Sequence, residues 1–214
     1  MRRAGIVAAL IAGTLLLGGC GGLSDTGEPL TVEQSEQLAQ TRFQLSTAGE
    51  LVVDATIGDP AATDHVTAAL TVDTGDHLAW GTIRRGPAEL AVEQRVLLHE
   101  DGYALESAGR WQSVSWSEGD LGLLLVVFSL ATDRPENAQL LRQSDARYLG
   151  SEDGLDVYRL PSPDGAGGTT RLWLDGGLLA RFDDGGDALV FTVDREATPE
   201  PVPSELSELV GTDD

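Results

Sequence analysis

The C-terminal part of the chain contains two Gly-Gly pairs, Gly176-Gly177 and Gly185-Gly186, which separate three short apolar stretches. Glycine pairs favour two-residue hairpin turns because both central residues need a positive φ. Such turns pair Trp173 with Ala180 and Phe182 with Leu189. They place one set of apolar side chains on the same face of three strands: Trp173, Leu178, Ala180, Phe182, Leu189, Phe191 and Val193. The other face carries Arg181, Asp183 and Thr192. This pattern predicts an antiparallel sheet that is covered on one side.

The loop at Thr74-Gly75-Asp76 offers a test of how two earlier strands pair. A three-residue loop pairs Val72 with Leu78 and Leu70 with Trp80. This pairing places all four apolar side chains on one face, whereas a two-residue loop scatters them. The hydrophobic pattern therefore favours the longer loop.

Two Asp-Gly pairs predict further hairpins. Asp101-Gly102 brings Leu98 opposite Leu105, and Asp153-Gly154 joins residues 147–151 to residues 155–160. Upstream, residues 43–57 have the alternating pattern of an extended strand. The recurring hairpins therefore predict a meander.

Three segments predict helices. Thr31 and Gln34 form a capping signature, so a helix is expected over residues 31–40. Residues 120–131 (DLGLLLVVFSLA) are apolar on nearly every side. They are too short to span a membrane and suit a helix buried between two surfaces. Residues 134–143 predict a second short helix with Pro135 in its first turn.

The predicted fold class is α+β: a strongly curved antiparallel sheet, or half-barrel, with helices covering its concave face. We assign residues 30–196 to a single domain, which is long enough to bury a sizeable core. Residues 197–214 are acidic and contain several prolines, so we expect a tail with at most one or two helical turns over residues 204–210.

The first 20 residues are typical of a secretory signal. Arg2 and Arg3 precede an uncharged apolar run over residues 4–17, and the segment ends at Cys20, the only cysteine. Leu17-Gly18-Gly19-Cys20 resembles the lipobox of bacterial lipoproteins, which implies that Cys20 is lipidated and becomes the mature N terminus. Residues 21–29 would then be a tether, and the protein would be lipid-anchored at the extracytoplasmic face of the cell membrane. The alternative is an uncleaved apolar N terminus with a free thiol.

The charge of the chain excludes several partners. The net charge is −21, and removal of Arg2 and Arg3 with the signal makes it −23. Nucleic acid is excluded because its binding requires phosphates to be neutralised by basic side chains. An anionic membrane surface would also repel this domain, so attachment is expected through the lipid on Cys20.

The sequence carries no recognisable catalytic or cofactor signature. A chain without lysine cannot use S-x-x-K acylation or a Schiff base, and no G-x-S-x-G or phosphate-binding glycine motif is present. His65, His77 and His99 lie beside acidic residues without the spacing of a metal site, and residues 183–187 lack the alternating ligands of a calcium loop. A glycosidase-type carboxylate pair stays open, although no residue singles one out. We therefore expect a protein that is not an enzyme and that has no metal or cofactor.

Two stretches resemble the LolA-like lipoproteins, and most nearly their mycobacterial LppX/LprG type. They are residues 109–114 (GRWQSV) and residues 148–160 (YLGSEDGLDVYRL). Residues 171–175 (RLWLD) are similar to the late hairpin of that family, and residues 30–49 are similar to uncharacterised actinobacterial lipoproteins. The resemblance covers about residues 30–195 at the level of pattern. It implies a half-barrel whose apolar hollow holds an acylated lipid and carries it across the envelope. Other proteins of similar fold bind a regulatory partner protein.

Two functional hypotheses follow. The first is a membrane-anchored carrier of an apolar envelope molecule, with an acylated lipid as the expected ligand. The second is a non-catalytic interaction module that regulates a membrane partner protein. A hydrolase is a third hypothesis that no residue constellation supports. The apolar face is either a cavity or a closed core, and the candidate ligand-binding residues are Leu70, Val72, Trp80, Leu124, Phe128, Trp173, Phe182 and Phe191.

Overall fold

The computed structural model describes residues 26–87, 89–119, 121–161, 169–184 and 189–204. The signal sequence, Cys20, most of the tether and the helical turns expected near residue 207 lie outside these ranges. The strands are β1 (Glu28–Pro29), β2 (Glu50–Ile57), β3 (Val66–Asp73), β4 (Leu78–Arg85), β5 (Val92–His99), β6 (Gly102–Ser107), β7 (Arg110–Ser115), β8 (Arg147–Glu152), β9 (Leu155–Pro161), β10 (Thr169–Asp175), β11 (Leu178–Asp183) and β12 (Leu189–Asp194).

In the described part of the chain, all twelve strands belong to one sheet. Their order is β1-β8-β9-β10-β11-β12-β2-β3-β4-β5-β6-β7, and each neighbouring pair is antiparallel. Side chains from both halves of the sheet join one buried cluster, so the sheet curves around that cluster. The predicted fold class, a curved antiparallel sheet with helices on its concave face, is confirmed.

The helices lie on the concave side. α1 (Val32–Ala48) begins with the predicted capping box, in which Thr31 and Gln34 each accept a hydrogen bond from the backbone N–H of the other. The predicted end at Gln40 is wrong. The helix continues to Ala48 because Leu45 extends the buried stripe of Leu38, and it stops at Gly49, whose φ is 77°.

The connection from β7 to β8 crosses the concave face, because β7 is at one edge of the sheet and β8 is beside the other. The continuous helix predicted over residues 120–131 is wrong. The connection contains a 3₁₀ turn (Gly122–Leu125) and the single-turn α2 (Val126–Ser129). α3 (Ala138–Gln143) begins later than predicted because the Asn137 side chain caps it, accepting from Gln139 N and Leu140 N.

The β3–β4 register differs from the predicted one by a single residue. Leu70 pairs with Gly81 and Thr71 pairs with Trp80, because the turn contains the four residues 74–77. A one-residue shift moves every side chain of a strand to the other face, so the prediction that Trp80 shares a face with Leu70 is wrong.

A β-bulge changes the β10–β11 pairing. The turn at Gly176-Gly177 is confirmed, since Asp175 pairs with Leu178 and Leu174 with Leu179. Ala180 is then an extra residue, and Trp173 pairs with Arg181 instead of Ala180. Trp173 therefore lies on the convex face, and its predicted place on the apolar concave face is wrong.

Two other registers are shifted by two residues. Phe182 pairs with Phe191 instead of Leu189, and Leu98 pairs with Tyr103 instead of Leu105. A shift of two residues preserves the face, so these side chains still point to the concave side. The turn at Asp153-Gly154 is confirmed, because Glu152 pairs with Leu155.

Candidate functional site

Three rows of cross-strand neighbours on the concave side of the sheet form a surface that we call the floor. The first row is Phe182, Phe191, Ala55, Ala68 and Ile83. The second row is Val193, Val53, Leu70, Gly81, Val96 and Leu105. The third row is Leu51, Val72, Ala79, Leu98, Tyr103 and Val114. These three rows carry no carboxylate, guanidinium or imidazole group, so they can hold only apolar material at low cost. The adjoining row on the same face is Leu189, Ile57, Val66 and Arg85, so one guanidinium lies at the border of the floor.

Residues 121–130, which we call the lid, cover the floor. Leu121, Leu124, Val127 and Leu130 point inward and join the same buried cluster as the floor residues. Leu124 is 0% exposed, whereas its neighbour Leu123 is 44% exposed. The lid therefore has one face against the floor and one face toward solvent, in agreement with the predicted covering role of this segment.

Arg42 of α1 holds the C-terminal end of the lid. Its Nε and Nη2 donate to the backbone oxygen of Ser129 at 3.0 and 2.6 Å, and its Nη1 pairs with Glu136 Oε1 at 2.6 Å. The Arg42 backbone oxygen also accepts from Thr132 N at 3.2 Å. Among the described residues, the bonds from Arg42 to Ser129 are the polar contacts between the lid and the rest of the protein. The lid also packs against the buried cluster and contacts the ring of His77 through Phe128.

An aromatic contact joins the lid to the β3–β4 turn. The rings of Phe128 and His77 are stacked, with centroids 6.1 Å apart and planes inclined by 30°. His77 Nδ1 forms a hydrogen bond with Glu100 of the β5–β6 turn. These turns and Phe128 therefore form one rim of the concave face, where Phe128 is only partly buried.

The structure brings together six of the eight candidate ligand-binding residues. Leu70, Val72, Leu124 and Phe191 are in the buried cluster, and Phe128 and Phe182 are partly buried against it. Trp80 and Trp173 lie on the convex face in two separate clusters. Trp173 there lies under the Arg181 guanidinium and donates to Glu152 Oε2 at 2.6 Å.

The interior is closed in this structure. Leu70, Leu124 and Phe191 are each at most 2% exposed, so almost none of their surface is accessible to solvent. A ligand would reach the floor only after the lid moves away. Packing of this kind is also what a core that serves only stability requires.

A groove on the convex face is a feature that the sequence analysis missed. It has a volume of about 470 Å³, and its walls include Trp80, Arg95 and Trp111 of the sheet and residues 200–204 of the C-terminal segment. Trp80 Nε1 donates to the backbone oxygen of Glu200 at 3.1 Å. The alternating prolines at 199, 201 and 203 were the only sequence signal for such an extended segment.

Tyr158 is buried in the same cluster as the floor residues, and the pKa of its phenol is shifted. Burial, and secondarily the carboxylate of Asp156, raises the pKa of the Tyr158 phenol far above its ordinary value of 10.0. The Tyr158 ring packs against Tyr148, with centroids 5.4 Å apart.

Among the described residues, no three His, Cys, Asp or Glu side chains are close enough to hold a metal ion. No helix in the same ranges has both the length and the hydropathy needed to cross a membrane.

Comparison with solved structures gives matches that include two mycobacterial lipoproteins. No protein-family model matches the chain. LprF from Mycobacterium bovis aligns with a TM-score of 0.48 and 15% identity, covering 83% of this chain and 98% of LprF. The Mycobacterium tuberculosis lipoprotein LppX aligns with a TM-score of 0.47 and 16% identity, covering 79% of this chain and 97% of LppX. The likeness concerns the backbone fold alone.

Proposed function

We propose that this protein is a membrane-anchored extracytoplasmic lipoprotein that binds an apolar envelope molecule, with acyl chains lying between the floor and the lid. The observation that carries the proposal is the lid itself. A short apolar segment closes an uncharged floor, and among the described residues Arg42 bonds it to the body at one end, at Ser129. Such a segment can swing away from the floor without breaking sheet hydrogen bonds.

The hydrophobic effect determines when the lid opens. Opening in water exposes Leu121, Leu124 and Val127 together with the floor, which is unfavourable. Opening against a membrane or an acyl chain replaces these contacts with equivalent apolar ones. Ligand exchange is therefore expected to occur at a lipid surface, where the lipid on Cys20 would keep the protein.

The closed interior favours a second candidate, a non-catalytic module that regulates a membrane partner protein. A floor that is fully packed needs no ligand, and the fold would then present its outer surfaces to the partner. Native mass spectrometry after purification from the protein's own cells separates the candidates. Co-purified lipid supports the carrier, and a lipid-free protein with a defined partner supports the module.

Filling the floor tests the carrier directly. Ala68 is buried in the first row of the floor and Ala69 is exposed on the convex side, so Ala68→Trp and Ala69→Trp form a matched pair. We expect Ala68→Trp to abolish uptake of a fluorescent fatty acid, cis-parinaric acid, and Ala69→Trp to leave it unchanged. If no uptake occurs in the unsubstituted protein and Ala68→Trp lowers Tm strongly, the carrier is rejected.

The lid contact gives a second test. Arg42→Gln removes the bonds to Ser129, whereas Arg134→Gln makes the same charge change at an exposed site. The carrier predicts faster fatty-acid uptake in the Arg42 variant only. Equal rates in both variants would show that this lid does not control entry.

Membrane attachment is tested separately. Cys20→Ala should release the protein into the soluble fraction, because the apolar signal ends at that residue. A variant that still sediments with membranes after a salt wash would place the anchor elsewhere.

A further inference from the structure

The C-terminal segment over residues 198–204, which we call the strap, has proline at every second position from 199 to 203. Pro199, Pro201 and Pro203 alternate with Thr198, Glu200 and Val202. Proline fixes its own φ, and a residue before proline is biased to extended geometry. Every residue from 198 to 203 is therefore held toward polyproline II, which has no internal hydrogen bonds. The order of the strap must come from what it lies on.

Two buried side chains of the sheet bind the centre of the strap. Thr71 Oγ1 accepts from Glu200 N at 2.9 Å, and Trp80 Nε1 donates to Glu200 O at 3.1 Å. Thr71 is 2% and Trp80 is 1% exposed, so both are covered. Both contacts are to the Glu200 backbone and neither is to its carboxylate. The recognition therefore depends on an extended backbone with flanking prolines more than on the strap's own side chains.

The strap leaves part of the groove open. The open volume of about 470 Å³ continues from Trp80 to Trp111 and Arg95. Trp111 is half-buried, and the Arg95 guanidinium lies 5.3 Å from the centre of its ring. The groove therefore offers the indole N–H of Trp80 and the indole face of Trp111. In the recognition of polyproline segments, proline rings pack on such aromatic faces, and backbone carbonyls accept hydrogen bonds from such donors.

We propose that the convex groove is a docking surface for an extended, proline-alternating segment of a partner protein, and that the strap is its built-in competitor. The strap already shows the binding mode, through Thr71 and Trp80. A partner would compete with a segment that is covalently attached and thus present at high effective concentration. Only a partner that carries several such prolines, or that is present at high local concentration, would displace the strap. This proposal concerns the opposite face of the sheet from the lid and does not depend on lipid binding.

The test uses the full chain with a loosened strap. Pro199→Gly, Pro201→Gly and Pro203→Gly together remove the polyproline bias while leaving Thr71 and Trp80 in place. The probe is a short fluorescein-labelled peptide of repeated Ala-Pro, followed by fluorescence anisotropy. We expect it to bind the loosened variant at least roughly tenfold more tightly than the unsubstituted chain, because the tethered competitor is weakened. The same peptide with glycine in place of proline should not bind.

Substitutions in the groove identify the site. In the loosened variant, Trp80→Phe removes the indole donor and Thr71→Val removes the hydroxyl acceptor, and each should weaken peptide binding. Trp173→Phe, on the same face but in a separate cluster, should not. If the glycine variant fails to fold, Glu200→Pro replaces it, since that change deletes the N–H bound by Thr71 and keeps the extended backbone.

Three results would overturn the proposal. The first is a folded loosened variant, judged by circular dichroism, that does not bind the peptide. The second is binding that persists unchanged in Trp80→Phe. The third is concentration-dependent dimerisation of the loosened variant without peptide binding, which would assign the groove to the strap of a second copy.

Discussion

The indole nitrogen of Trp80 lies 3.1 Å from the carbonyl oxygen of Glu200, which follows it by 120 positions in the sequence. This hydrogen bond fixes the C-terminal segment against the back of the β3–β4 hairpin. The front of the same hairpin carries Leu70 and Val72, which pack in the cluster that includes the lid. The hairpin is therefore held from both faces of the sheet by segments distant in sequence.

We expect Trp80→Phe to lower the free energy of unfolding by about 1 kcal/mol, because the Glu200 carbonyl loses its donor while the ring volume is largely kept. Urea denaturation would measure the loss, and limited proteolysis should show faster cleavage near residue 200. Trp111→Phe is the control, since Trp111 contacts Arg95 through its ring face. Equal losses in the two variants would show that the indole donor contributes nothing specific.

Two adjacent leucines test the lid. Leu124→Ala should cost about 2–5 kcal/mol because the side chain is fully buried in the cluster. Leu123→Ala removes the same atoms from a side chain that is largely exposed, so we expect less than about 1 kcal/mol. Urea unfolding of the pair provides the comparison. A small loss at Leu124 would mean that the lid is not tightly packed on the floor in solution.

Gly81 should be intolerant of any side chain. A Cβ at this position would lie 2.0 Å from the backbone oxygen of Ala69, within the paired β3–β4 backbone. Gly81→Ala should therefore destabilise the protein by more than about 1–3 kcal/mol. Gly154→Ala is the control, because Gly154 also has a positive φ but has nothing within 4 Å of the added Cβ. We expect this variant to lose about 1 kcal/mol of the free energy of unfolding. Similar losses would show that backbone conformation, and not the clash, determines the cost.

Tyr158 should make the protein sensitive to alkali. Burial raises the pKa of its phenol in the folded state, so the neutral form is favoured there. A group whose folded pKa is raised contributes stability that is complete below its unfolded pKa, near 10, and is lost as the pH rises above it. We expect the free energy of unfolding to fall as the pH rises above about 10, and Tyr158→Phe to reduce that fall. An unchanged alkaline profile in the variant would assign the sensitivity to other groups.

The local sequence was sufficient for the elements whose signals are local. Thr31 and Gln34 begin α1 as predicted, the turns at Gly176-Gly177 and Asp153-Gly154 form, and the alternation along β12 places Phe191 on the concave face. Even where a register was wrong by two residues, as at Phe182, the side chain kept its face. Alternation has a period of two, so it is insensitive to such an error.

Features that depend on distant partners were decided only in the tertiary structure. The extra residue in the β3–β4 turn and the bulge at Ala180 move Trp80 and Trp173 to the convex face. A register shift of one residue reverses the face of every following side chain, and the apolar–polar alternation along a strand does not reveal how many residues a turn or a bulge contains. Docking of residues 198–204 onto Thr71 and Trp80 joins segments more than 100 residues apart. The sequence by itself determined which residues are apolar and which strands alternate. Which apolar side chains contact each other depends on long-range packing. In this packing, one hydrogen bond or one bulge determines which of two similarly hydrophobic faces of the sheet a side chain joins.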